Sequence, residues 1–154
     1  MNSSSNIVTQ VNEKDFVQLA NLYGKIACSV ELPYFNWNKE SALQEIKKAE
    51  SLVIVADGFI RAFITYRNYD DRFEISALGT DPGFLKKGYA QDLLETLKKC
   101  AIMQKKPIWL EVHAKNLKAV QLYQTREFVV VHRRKGYYSD LGDALVMTWT
   151  DGSS

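Results

Sequence analysis

Thr80-Asp81-Pro82-Gly83-Phe84-Leu85-Lys86-Lys87-Gly88-Tyr89-Ala90 joins a β-rich run, residues 72–80, to the strongest helical pattern in the chain. That helix is read over about 86–104, where Tyr89, Leu93, Leu94, Leu97, Cys100 and Ala101 recur as one apolar stripe. A helix start carries unpaired N–H groups and partial positive charge, so it attracts anions. Gly88 lets a phosphate approach the backbone, and Lys86 and Lys87 add charge. Taken alone, the loop reads better as a basic turn that starts a helix. A further strand at 107–113 completes a strand–helix–strand unit, which implies one parallel pair.

Working outward, 7–11 reads as a short strand and Asn12 as the cap of a helix from near Glu13, with Phe16, Leu19, Tyr23 and Ile26 at helical spacing. Pro33 interrupts that pattern. A second helix spans 39–49 behind Asn38, with Leu43 and Ile46 inward. Asp57-Gly58 is a two-residue hairpin signal between strands at 52–56 and 59–67. A short helix at 117–124 and strands at 128–134 and 143–149 follow. The class is α/β (α+β): a mixed, mostly antiparallel sheet of six to seven strands with four helices.

The chain has 154 residues, which suits one domain whose polar ends, 1–6 and 151–154, are expected to fray. Its 46% apolar and 25% charged residues are ordinary for a soluble protein. Twenty Lys and Arg against 18 Asp and Glu leave a net charge of +2, too little for a general nucleic-acid binder. No apolar run is long enough to span a membrane, and no secretory leader is expected, so a cytoplasmic protein is the expectation. Cys28 and Cys100 are too few for a disulfide framework or a zinc site, and both read as buried small hydrophobes.

A second stretch gives the first its meaning. Ile108-Trp109-Leu110-Glu111-Val112-His113-Ala114-Lys115-Asn116-Leu117-Lys118-Ala119-Val120-Gln121-Leu122-Tyr123 follows at the next strand and helix. The pair resembles the GCN5-related N-acetyltransferase (GNAT) superfamily. Its turn, Gln/Arg-x-x-Gly-x-Gly/Ala, appears here as Leu85-Lys86-Lys87-Gly88-Tyr89-Ala90, and its Asn-x-x-Ala-x-x-Leu-Tyr as Asn116, Ala119, Leu122 and Tyr123. Within the superfamily the chain looks most like the RimI type, which acetylates ribosomal-protein N-terminal alanines, on Leu-Glu-Val and the later Tyr137-Tyr138 pair. Two positions depart from the pattern. Leu85 replaces the usual Gln or Arg, which should weaken phosphate binding. Glu127 replaces a Gly, which leaves the turn after the last helix open.

The resemblance implies acetyl-CoA as co-substrate, no metal, and a splayed parallel strand pair that holds the cofactor. It implies that residues 85–90 with Gln91 grip the pyrophosphate, and that backbone groups of Leu78, Gly79 and Thr80 pair with the pantetheine arm as an added strand would. Asn116 and Ala119 fall on the cofactor side; Asn116 reads equally as a helix cap. Acyl transfer to an amine needs a neutral amine, a stabilised oxyanion and a protonated leaving thiolate. Glu111 is implied as general base, directly or through water. On a mostly covered strand it would need a hydrogen-bond partner, and it also reads as half of a structural salt bridge. Tyr123 is implied as general acid, a phenol of pKa about 10 facing a thiol of about 8.5; a core aromatic is its other reading. The acceptor side falls on Tyr34, Trp37, Tyr137 and Tyr138.

His113 and His132 have no implied role, and His132-Arg133-Arg134-Lys135 reads as a solvated strand end. The expected partners are acetyl-CoA and an amine acceptor such as a ribosomal-protein or other protein N-terminus, with neither nucleic acid nor membrane, for a monomer or homodimer. A small-amine acetyltransferase and a degenerate acyl-CoA-binding module stand as alternatives.

Overall fold

The structure is a computed structural model, and it describes residues 6–29 and 33–152. Its strands are β1 (Thr9–Gln10), β2 (Glu50–Ala56), β3 (Phe59–Asn68), β4 (Phe73–Thr80), β5 (Ile108–His113), β6 (Val129–Arg134) and β7 (Ala144–Trp149). Its helices are α1 (Phe16–Ala27), α2 (Lys39–Lys48), α3 (Tyr89–Gln104) and α4 (Leu117–Thr125). The strand order is β1-β2-β3-β4-β5-β7-β6. The predicted parallel pair is β4 with β5, joined at Phe73↔Ile108 and Glu74↔Trp109. The pairs β1–β2, β2–β3, β5–β7 and β6–β7 are antiparallel. This is the mixed sheet with four helices that the pattern implies.

The described residues pack as two compact units, one drawn from Met1–Asn68 and Ser76–Leu97, the other from Tyr69–Ile75 and Lys98–Ser154. In the first, Leu19, Tyr23 and Ile26 of α1 and Ile46 of α2 close over Val53 and Phe63. The Tyr23 ring stacks on Phe63 at 4.2 Å and meets Trp37 edge-on at 5.5 Å. Burial pushes the Tyr23 phenol well up; its hydroxyl donates to Thr65 Oγ1 at 2.6 Å, and Thr65 pairs with Ser51. Gly79 of β4 runs so close to this core that a Cβ there would lie 2.8 Å from Ile26 and 2.9 Å from Phe63. In the second unit, Ile108 and Leu110 of β5 and Met147 and Trp149 of β7 form the buried face.

Three details differ from expectation and one agrees. Asn12 makes no side-chain cap; a single 3₁₀ turn, Glu13–Asp15, precedes α1. Asn38 does cap α2, in a full capping box with Ser41. Asn6 is held rather than frayed, its backbone N–H and side-chain amide both donating to Asp92 in the first turn of α3. Cys28 is exposed and Cys100 only half-buried, because Cys28 follows α1 as its C-cap and lies off the buried stripe.

Candidate active site

The turn before α3 lies in the first unit. α3 starts at Tyr89, three residues later than the apolar pattern suggests, because Lys86 (φ 63°) and Gly88 (φ 79°) both take the left-handed conformation. The first helical bond at this end is Asp92 N–H to Gly88 O. The amides of Tyr89, Ala90 and Gln91 are thereby left without a helical acceptor. Lys86, Lys87 and Gly88 are exposed. Alternating handedness before a helix start makes a concave row of N–H donors suited to a pyrophosphate. Leu85, the departure from the family pattern, is exposed and adds no donor. In β4, Ala77 and Gly79 face the core, so Leu78 and Thr80 lie half-buried on the other face.

The turn is tied down by a residue that pattern reading passes over. Asp81, 2% exposed, accepts from Gly83 N–H at 3.0 Å, Lys25 Nζ at 3.0 Å and Arg61 Nη1 at 3.2 Å. Burial alone would raise its pKa, but the Gly83 bond and the two cations outweigh it and hold the carboxyl below the usual range. The Arg61 guanidinium lies 4.2 Å over the Phe84 ring, a second hold on the same turn. The local signal was Asp81-Pro82-Gly83, an Asp that caps its own turn; the two cations are too distant in sequence to be legible there.

The candidate chemical groups lie in the second unit. Glu111 of β5 is exposed, which corrects the expectation of a covered carboxylate. It meets Arg134 Nη1 of β6 at 2.9 Å. The hydrogen bond to Glu111 holds the Arg134 proton more tightly than usual. Arg134 also lies 4.1 Å over the Tyr137 ring. Arg133 also pairs, with Asp143 at 2.6 Å, while the basic run as a whole is exposed. Tyr123 of α4 is buried, edge-on to Phe128 at 5.5 Å, and burial drives its phenol well above the usual value. The gap to a thiol is therefore wider than free-residue values suggest, and the phenol stays neutral as a hydrogen-bond donor. Asn116 accepts from Ala119 N–H at 3.4 Å, so it does cap α4.

Glu127 takes the turn that glycine serves elsewhere. Its φ is 73°, with Glu127 N–H to Gln124 O and Phe128 N–H to Tyr123 O closing a Schellman motif. The open turn is therefore the ordinary one, held by a strained residue. Glu127→Gly is expected to stabilise the protein by about 0.5–1 kcal/mol, the ~1–2 kcal/mol of relieved strain less glycine's entropy cost. The urea unfolding midpoint measures it.

Of the acceptor-side residues, Trp37 packs half-buried against Tyr23, and Tyr34 is half-buried; residues 30–32 lie outside the described residues. Tyr137 and Tyr138 touch edge-on at 5.2 Å in the β6–β7 loop. Burial, then the nearby Glu111 charge, raises the Tyr138 phenol. No group of three or more metal-ligating side chains is found among the described residues, and none of their helices is long and apolar enough to cross a membrane.

Residues 16–128 match the model of the acetyltransferase (GNAT) family. The chain belongs to that family. It is an N-acetyltransferase by family. The fold of this GNAT enzyme is that of the ribosomal-protein-S18-alanine N-acetyltransferase from Escherichia coli, with a TM-score of 0.81 at 21% identity over 97% of this chain and 96% of that one. It also matches Arabidopsis thaliana NAA60 in complex with a bisubstrate analogue (TM-score 0.75, 19% identity, 96% and 100% covered). A third likeness is yncA from Salmonella typhimurium with its cofactor acetyl-CoA (0.75, 15%, 98% and 96%). A search of curated proteins finds no match.

Proposed function

We propose that this GNAT enzyme transfers the acetyl group of acetyl-CoA to a protein N-terminal α-amine, as a single catalytic domain in the cytoplasm. The observation that carries the reading is the left-handed turn at Lys86 and Gly88 opening onto three free amides of α3. Those amides, with Lys86 and Lys87, suit a pyrophosphate. Backbone groups of Leu78, Gly79 and Thr80 serve the pantetheine arm, and Asn116 and Ala119 face the cofactor side. Acetyl-CoA supplies the activated thioester. Glu111 takes a proton from the acceptor ammonium, so that the neutral nitrogen attacks the thioester carbon; a C–N bond forms and the C–S bond breaks. The neutral Tyr123 phenol donates a hydrogen bond to the departing sulfur and then its proton, and the second proton of the acylated nitrogen restores the phenol.

The acceptor class is carried over from the relative named for ribosomal-protein S18 alanine. Tyr34, Trp37, Tyr137 and Tyr138 would frame it, with the protein working as monomer or homodimer. The test mixes purified protein with acetyl-CoA in a calorimeter, then offers Ala-initiated peptides and a polyamine and identifies products by mass spectrometry. Binding with α-amine acetylation is the expected result. Polyamine products alone would move the acceptor to small amines. Absence of acetyl-CoA binding would overturn the enzyme's proposed donor.

A further inference from the structure

His113 ends β5, two residues after Glu111, and is 7% exposed. Nothing in the reaction just described uses it. Yet the structure surrounds both of its ring nitrogens and one ring face. Nδ1 accepts the Lys115 backbone N–H at 3.1 Å. The ring hydrogen therefore sits on Nε2. From there it is donated to Asp140, 2.9 Å from Oδ2 and 3.2 Å from Oδ1. The ring face stacks on Tyr138 at 4.8 Å and 14°.

The loop is folded onto this histidine. Asp140 Oδ1 also accepts Gly142 N–H at 2.7 Å, and these two bonds hold its carboxyl below the usual range. Tyr138 N–H reaches Gly142 O, and Leu141 N–H reaches Tyr138 O. A Cβ on Gly142 would overlap His113 Nε2 and Cε1, so the loop backbone rests directly on the ring. Tyr137, next in line, meets Tyr138 edge-on and lies under the Arg134 guanidinium that pairs with Glu111. One continuous set of contacts thus runs from the end of β5, through the loop, to the cation on the candidate base.

We propose that His113 is a positioning residue that clamps the 136–143 loop and so fixes Tyr137 and Tyr138 for the acceptor amine. The inference rests on the reading of that loop as the acceptor side. A histidine present for packing alone would change stability without changing acceptor affinity.

The test uses the full chain with His113→Ala, and with Asp140→Ala as the second variant. The Asp140 side chain is 57% exposed, so its removal opens no core cavity. Hydrogen exchange is read first, on the free protein, and needs no reaction. Amides of 136–142 are expected to exchange roughly tenfold faster in both variants, the loss of about one hydrogen bond and one ring contact in His113→Ala; β5 and α3 amides keep their protection. Acceptor KM should then rise by a similar factor, with kcat and acetyl-CoA affinity changed far less. KM is measured on peptides and on a polyamine. If only the polyamine is turned over, the N-terminal reading falls, and the polyamine KM still decides on the clamp. Unchanged loop exchange in both variants overturns the proposal. So does faster exchange with an unchanged KM, and so does a wild type that acetylates no amine.

Discussion

Glu111→Gln is expected to lower kcat by about 10²- to 10⁴-fold, the range of a general base, and to leave acetyl-CoA affinity unchanged. The amide keeps the size and polarity of the carboxylate but cannot take a proton from an ammonium. The fold should tolerate the change. Glu111 is exposed and, among the described residues, its side chain bonds to Arg134, and an exposed ion pair contributes about 0–1 kcal/mol. The pH dependence carries the diagnosis. An α-amino group has a pKa of about 8, so below that value the acceptor is mostly charged and most in need of a base. The ratio of wild-type to variant rate should be largest at low pH and shrink above about pH 8. Steady-state rates from pH 6 to 9, with calorimetry of acetyl-CoA, measure both. A variant as fast as the wild type would mean that another group, or water, removes the proton.

Asp81→Ala is expected to destabilise the protein by about 3–5 kcal/mol, the cost of breaking a buried ion pair and stranding its partners. Here the partners are Arg61, whose side chain is 18% exposed, and the N–H of Gly83. At this chain length the melting temperature should fall by roughly 10 °C. The effect should reach function, because the same carboxylate shapes the turn that leads to Lys86 and Gly88, and acetyl-CoA affinity should drop with it. Asp81→Asn, which still caps Gly83, should recover part of both. The folded-state pKa of Asp81 lies below its ordinary value. Its contribution is therefore complete above the unfolded pKa of about 3.9 and is lost as pH falls through the lowered folded value. Scanning calorimetry at pH 7 and pH 3 should show the Asp81→Ala penalty shrinking in acid; an equal penalty at both would place its origin outside the ion pair.

Much of this enzyme is written in short-range patterns. The stripe of α3, the Asp57-Gly58 hairpin, the Asn38 cap and the crossover from β4 to β5 follow from spacings of two to four residues, turn chemistry and the handedness of connections. The basic turn before α3 and the Asn116–Tyr123 helix took their meaning only from the family resemblance that the two carry together on one strand–helix–strand–helix stretch. Their conformations were less legible. Periodicity cannot tell that Lys86 and Glu127 adopt left-handed backbone, since neighbouring bonds and packing impose it against the residue's own preference.

The order of elements, the family motif and the candidate chemical groups are thus readable from the residues in a row. Their surroundings come from the folded chain. Glu111 meets Arg134 across 23 positions, Asp81 meets Lys25 across 56, and His113 meets Asp140 across 27. Strand pairing and loop closure bring those charges together, and a pattern that repeats every two or four residues carries no record of them.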